Sequence, residues 1–100
     1  MTILKKEKKV LLIPDQKLNM QTGDELQNIF SQITKADSKE VIMDFKNVEN
    51  IDCFALDKIL SLKNSLEQKG SKLRITNIQS SYVQRFFSLL NLKRVIEIEH

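Results

Sequence analysis

The chain is poor in residues that break, staple or ligate. Its 100 residues include two glycines, one proline, one cysteine, one histidine and no tryptophan. A lone cysteine, Cys53, excludes an internal disulfide, and Cys53 with His100 falls short of the three or four ligands of a zinc site. Gly23 and Gly70 stand far apart, so there is no glycine-rich phosphate cradle. A hydrolytic triad needs a histidine held in place, whereas the single histidine here is His100, the last residue, where chains fray. The longest apolar run, Val10 to Ile13, is far below the ~20 residues that span a bilayer, and Met1-Thr2-Ile3-Leu4 is too short for a signal-peptide core. We therefore expect no catalytic residues, no metal, no cofactor and no direct membrane insertion, and a cytoplasmic location. A non-enzymatic binding module is the default.

What is present is enough for a core. With 41% hydrophobic and 29% charged residues, the chain is too apolar for disorder or a linker. At this length one domain over residues 1–100 is expected, burying about 65% of the surface that the unfolded chain exposes. Sixteen Lys and Arg against thirteen Asp and Glu leave a net charge of +3. The cations are spread along the chain except for Lys5, Lys6, Lys8 and Lys9, which bracket Glu7 between two apolar runs. That cluster reads as a solvated hairpin turn rather than a nucleic-acid patch, so no nucleic-acid partner is expected.

Periodicity supplies the fold. Ile3-Leu4 and Val10 to Ile13 have strand length, and Pro14-Asp15 closes the second. Thr22 is positioned to cap a helix, with Glu25 completing a capping box and Asp24 favourable at the positive end of the helix dipole. Leu26, Ile29, Phe30 and Ile33 form its apolar stripe. Val41 to Phe45 is apolar on both faces apart from Asp44, the pattern of a central strand covered on both sides. Ala55, Leu56, Ile59, Leu60, Leu62 and Leu66 make a broad helical face, beginning near Asp52 or Cys53 and ending at Lys69-Gly70. Leu73 to Thr76 is another strand. Ser80 or Ser81 caps a third helix bearing Val83, Phe86, Phe87 and Leu90; Asn91 closes it in the left-handed conformation, and Val95 to Ile98 is the last strand. Phe86 lies on the tightest stripe with Val83 and Leu90, which predicts that it faces the sheet while Phe87 lies to the side. The order β-β-α-β-α-β-α-β predicts an α/β domain: a mostly parallel, mixed five-stranded sheet with three main helices, its first strand antiparallel through the hairpin. Ligands and partners of such sheets meet the loops after the carboxyl ends of the strands, here Asp15 to Thr22, Lys46 to Phe54 and Asn77 to Ser81.

Four segments in this order resemble the STAS domain, the family of anti-sigma factor antagonists and of the cytoplasmic tails of sulfate transporters. Val41 to Asp52, VIMDFKNVENID, resembles its strand-and-loop signature, with Asp just before the phosphorylatable serine. Leu56 to Leu66 followed by Gln68-Lys69-Gly70-Ser71-Lys72-Leu73 resembles its next helix and the turn into a strand. Val83 to Phe87 with Leu92 to Ile96, and Leu18 to Leu26, resemble its last helix and strand and the opening of its first helix. Two positions depart from the family. Gln16 stands where a glycine is frequent, and Cys53-Phe54-Ala55 stands where the antagonists carry Ser-Ser-Gly or Ser-Thr-Gly. The resemblance thus implies that Cys53 is equivalent to the phosphoacceptor but not phosphorylatable.

It also implies a protein partner: an anti-sigma factor or serine-kinase-like regulator, docked through Asn19, Met20, Thr22, Asp52, Cys53, Phe54 and Leu56. The plain alternative is that Asp52 merely caps a helix and Phe54 packs locally; exposure of Phe54 separates the two. A second functional reading is a structural STAS subunit bound to the ATPase of a membrane ABC lipid transporter, which likewise needs no serine. A third, redox sensing by Cys53 at a helix N-terminus, is weaker because lone cysteines are mostly inert small hydrophobes. The sequence does not set the oligomeric state.

Overall fold

The structure, a computed structural model, describes residues 1–99; His100 lies outside the described residues. In chain order the elements are strands β1 (Thr2–Lys6), β2 (Lys9–Ile13) and β3 (Lys17–Leu18), a 3-10 turn at Met20–Thr22, helix α1 (Gly23–Lys35), strands β4 (Glu40–Asp44) and β5 (Asn50–Ile51), helix α2 (Cys53–Gln68), strand β6 (Lys72–Thr76), helix α3 (Ser81–Leu89), a 3-10 turn at Leu92–Arg94 and strand β7 (Glu97–Glu99). The main sheet has the order β1-β2-β4-β6-β7, antiparallel only between β1 and β2. The expected α/β fold, with a mixed five-stranded sheet and three helices, is what forms. The second sheet, β3 paired in parallel with β5, lies in segments that the sequence reading treats as loop.

One face of the sheet makes the core. Val10, Leu12, Val41, Met43, Leu73 and Ile75 join Leu26, Phe30 and Ile33 of α1, Ile59, Leu62 and Leu66 of α2, and Val83 and Phe87 of α3 in one buried cluster. The other face carries Leu4, Leu11, Ile42 and Arg74 side by side across four strands, all half-buried or exposed. The expectation from composition that β4 is covered on both sides is therefore corrected: helices cover one face only. Ile42 is apolar because it stands between Leu11 and the Arg74 side chain, whose stem covers apolar surface while its guanidinium pairs with Glu40 at 3.0 Å.

Two further expectations are corrected near the C-terminus. Asn91 does adopt the left-handed conformation, with φ 53°. The chain then winds through the 3-10 turn, where the carbonyl of Leu92 accepts from the amides of Val95 and Ile96, both at 2.9 Å. Those amides are spent, so the strand begins at Glu97 rather than Val95. In α3 the two phenylalanines are unequal, but in the opposite sense to the prediction: Phe87 is 5% exposed and Phe86 is half-buried. The helix has only nine residues, and Leu90 is already its exposed C-cap, so the buried pair is Val83 with Phe87 at i, i+4. Phe87 also sets its ring edge against Phe45, centroids 5.8 Å apart. Phe87→Ala is expected to cost about 3–5 kcal/mol and Phe86→Ala less than half of that, read from urea denaturation midpoints. Equal losses would contradict this placement.

Candidate functional site

The three loops at the carboxyl ends of β2, β4 and β6 meet through hydrogen bonds to backbone carbonyls. The carbonyl of Gln16 accepts from the amides of Glu49 at 2.8 Å and Asn50 at 3.1 Å, the β3–β5 ladder continues the contact, and the amide of Asp52 donates to the carbonyl of Leu18 at 3.0 Å. The hydroxyl of Ser80 donates to the carbonyl of Glu49 at 2.9 Å, tying in the third loop, and Ser80 itself caps α3. Asn77, left-handed at φ 64°, donates through its side chain to Asp44 at 3.2 Å. Gln16 takes part only through its carbonyl and, unlike Asn77, is not at positive φ, so the absence of a glycine there carries no backbone strain.

Asp52 is the junction. Its Oδ1 accepts from the amide of Ala55 at 2.9 Å as the N-cap of α2, and its Oδ2 accepts from the amide of Met20 at 3.2 Å. One carboxylate thus fastens the start of α2 to the turn that leads into α1. That turn has its own closure. Asn19 Oδ1 accepts from the amides of Gln21 and Thr22, while the Asn19 amide donates to Thr22 Oγ1 at 3.0 Å. The reciprocal box is therefore Asn19 with Thr22, and the predicted box of Thr22 with Glu25 does not form: Thr22 precedes α1 but makes no side-chain cap bond to it. The Asn-x-x-Thr spacing is the signal that locates this box.

The consequence for the surface is specific. Met20 is 67% exposed and Phe54 is 47% exposed, with exposed Cys53 at the first position of α2. Phe54 is nevertheless held. Its ring lies against Gly23, so close that a Cβ there would stand 2.7 Å from Phe54 Cε1, and Lys58 Nζ sits over the ring, 5.1 Å from its centroid. Lys58 also donates to Gln27 Oε1 of α1 at 3.2 Å. This Gly23–Phe54–Lys58 contact escapes sequence reading because it joins residues on different helices.

Of the predicted site residues, Met20, Cys53 and Phe54 share one exposed face, and Asp52 anchors it. Asn19 and Thr22 are half-buried, their side chains engaged in the box. Leu56 is a correction: at 6% exposure it belongs to the core, because residues 55, 56 and 59 of α2 all turn inward. Among the described residues no cluster of three or more His, Cys, Asp or Glu is arranged to hold a metal, and no helix is long and apolar enough to cross a membrane.

The profile of the STAS domain family matches residues 2–100. The chain belongs to the STAS domain family. By sequence it is similar to a candidate anti-sigma factor antagonist of Thermotoga maritima, 26% identical over 90 residues that make up 89% of this chain and 79% of that one. The crystal structure of a candidate antagonist from that organism superposes with a TM-score of 0.88 at 23% identity, over 99% of this chain and 85% of that one. The phosphorylated form of SpoIIAA, a Bacillus cell fate determinant, shares the fold with a TM-score of 0.75 at 13% identity, over 97% and 88% of the two chains. A sulfate transporter family protein of Wolinella succinogenes shares it at 0.76 and 12%, over 96% and 80%. In this STAS domain, the strand-and-loop signature ends at the residue that joins the two helix entrances, Asp52.

Two substitutions test this geometry. Asp52→Ala is expected to cost about 1–2 kcal/mol through the lost cap and to raise hydrogen exchange at both Ala55 and Met20; a change at Ala55 alone would show that the Met20 bond is idle. Gly23→Ala is expected to swing the Phe54 ring off α1, because the ring end moves more cheaply than backbone. The gain in helix propensity, up to about 1 kcal/mol, offsets the lost contact, so stability changes little. The Phe54 ring resonances and those of the Lys58 side-chain methylenes should shift together, and unmoved resonances would refute the contact.

Proposed function

We propose that this STAS domain is a non-enzymatic interaction module of the anti-sigma factor antagonist type, which docks a kinase-like anti-sigma regulator through Met20, Cys53 and Phe54. The observation that carries the reading is the exposure of Phe54 and Met20 on a framework fixed by Asp52. A merely capped helix start has no need of two large apolar side chains in water. The similarity to a candidate antagonist over 89% of the chain supports the class of partner.

In this reading Cys53 occupies the family's phosphoacceptor position, and the missing hydroxyl removes the switch. A phosphate there would add about −1.5 to −2 charges at pH 7 next to Asp52, which disrupts docking by like-charge repulsion and desolvation. Without it, binding is constitutive, and control passes to expression, partner competition or another subunit.

The test uses the parent and its variants as bait for the cytosol of the source organism, with affinities then measured on the recovered partner. A kinase-type anti-sigma factor should come down on the parent and on Cys53→Ser, and be depleted on Phe54→Asp and Met20→Asp. Cys53→Asp should weaken binding by about tenfold or more, and Cys53→Ser should become open to phosphorylation by the cognate kinase. Recovery of a transporter ATPase in place of the kinase would overturn the reading. Equal affinity of parent and Cys53→Asp would move the interface elsewhere, and stoichiometric phosphorylation of the parent at Thr22, Ser80 or Ser81 with release of the partner would refute constitutive binding.

A further inference from the structure

Lys35, Lys39, Lys69 and Lys72, scattered in sequence, are gathered in space with the hairpin lysines Lys6, Lys8 and Lys9 at the pole opposite the candidate site. In the sheet, Lys6 pairs with Lys9, Lys9 with Glu40, and Glu40 with Lys72, forming one row across four strands at the amino ends of β2, β4 and β6. Behind that row, the amide of Lys39 donates to the carbonyl of Lys8 and the amide of Lys72 to the carbonyl of Lys39, at 2.7 and 3.1 Å. Lys35 in the last turn of α1 and Lys69 at the C-cap of α2 close the same end. All seven lysines are exposed. The anions at this end are fewer than the cations. Glu40 is engaged by Arg74 and Glu67 by Lys63, Asp37 reaches Lys8 only at 3.8 Å with both side chains largely in water, and Glu7 in the hairpin turn and Glu97 at the start of β7 are exposed. Lys35 and Lys69 complement the negative ends of their helices, which accounts for those two and not for the other five.

We propose that this pole adsorbs to a membrane surface rich in anionic phospholipid headgroups, leaving the Met20–Phe54 face pointing away from the bilayer. Two observations favour a lipid surface over a nucleic acid. The row across the sheet is built of lysines, point charges without the planar fork that reads guanine edges; of the arginines at this end, Arg74 is engaged by Glu40 and Glu99, which leaves Arg94 of the 3-10 turn. The exposed aromatics Phe54 and Tyr82 belong to the N-terminal ends of α2 and α3, away from this pole, so among the described residues no base-stacking platform accompanies it. Next to Lys6 and Lys9 the open sheet face presents Leu4, 54% exposed, beside Leu11 and Ile42, and an apolar margin beside a lysine cluster suits the headgroup boundary. The proposal goes beyond the docking function and does not depend on it.

The full chain is incubated with vesicles of phosphatidylcholine alone, and with vesicles containing one part in three phosphatidylglycerol, and sedimented at low and at high salt. Adsorption is expected only to the anionic vesicles, and it is expected to fall as salt screens the pole. Each lysine contributes about a fivefold factor, so the triple variant Lys6→Gln, Lys39→Gln, Lys72→Gln should bind about a hundredfold more weakly. A control of equal charge change placed elsewhere, Lys17→Gln, Lys46→Gln, Arg85→Gln, should bind like the parent. The circular dichroism spectrum and denaturation midpoint of each variant establish that it is folded. Absence of adsorption to anionic vesicles would overturn the proposal, as would equal losses in the two triple variants, which would reduce it to net charge. Tighter binding of a short duplex DNA than of the vesicles at the same salt would assign the pole to nucleic acid instead.

Discussion

Parallel pairing in fixed register is the constraint on which this molecule turns. β2, β4 and β6 run side by side in the same direction, so every crossover helix must carry the chain back to the end from which the next strand starts. The helices therefore run opposite to the strands. Their N-termini gather with the loops that follow the strands, and their C-termini gather with the hairpin turn. Charge follows the same division. Asp24, Glu25 and Asp52 stand at helix starts, Lys35 and Lys69 at helix ends, each placed where the backbone dipole favours its sign. A chain with a net charge of only +3 is thus divided into a pole of helix N-termini and carboxylates and a pole of lysines.

Within the first pole, the identity of residue 52 is narrowly set. Both carboxylate oxygens are used, one by the amide of Ala55 and one by that of Met20. Asparagine would keep a single acceptor oxygen, and serine, although a good cap, has too short a side chain to offer two separated oxygens. The requirement is geometric before it is functional: the second oxygen is what bonds the Met20 turn itself to the cap of α2, beside the backbone bonds that join the neighbouring loops.

This division explains which parts of the structure are legible in the sequence. The main strands, the three helices, the cap of α2 at Asp52, a serine cap at Ser80 or Ser81 and the left-handed Asn91 all follow from local periodicity and capping chemistry, since each depends on neighbours a few residues away; the alternation of strands with helices then implies the parallel sheet. What misleads is competition between local signals. In α3, stripe-matching favours Phe86, but a helix of nine residues does not persist far enough for Leu90 to join the core. At the first helix, Thr22 and Glu25 satisfy the capping-box pattern, but Asn19 reaches the Thr22 amide first and takes its hydroxyl as the reciprocal partner. Leu56 lies close in sequence to the exposed Phe54 yet turns into the core, because two residues along a helix are about 200° apart. The β3–β5 pairing is illegible for another reason: two residues per strand leave no period to detect.

The Phe54 ring shows how an apolar surface group is kept both available and ordered. A phenylalanine at the second position of an isolated helix would sample its rotamers freely, and ordering it on binding would cost affinity. Here Gly23 lacks the Cβ that would push the ring away, and Lys58 lies over the ring, itself held by Gln27 of α1. The ring is thus confined by contacts to α1 and to its own helix while nearly half of its surface stays in water. Confinement of this kind depends on α1 and α2 keeping their distance, which their shared core packing holds and which the Asp52 bond to Met20 reinforces at this end. A single carboxylate therefore supports the ring indirectly. For the interface proposed here, the rigidity of the contact face is built into the fold before any partner arrives.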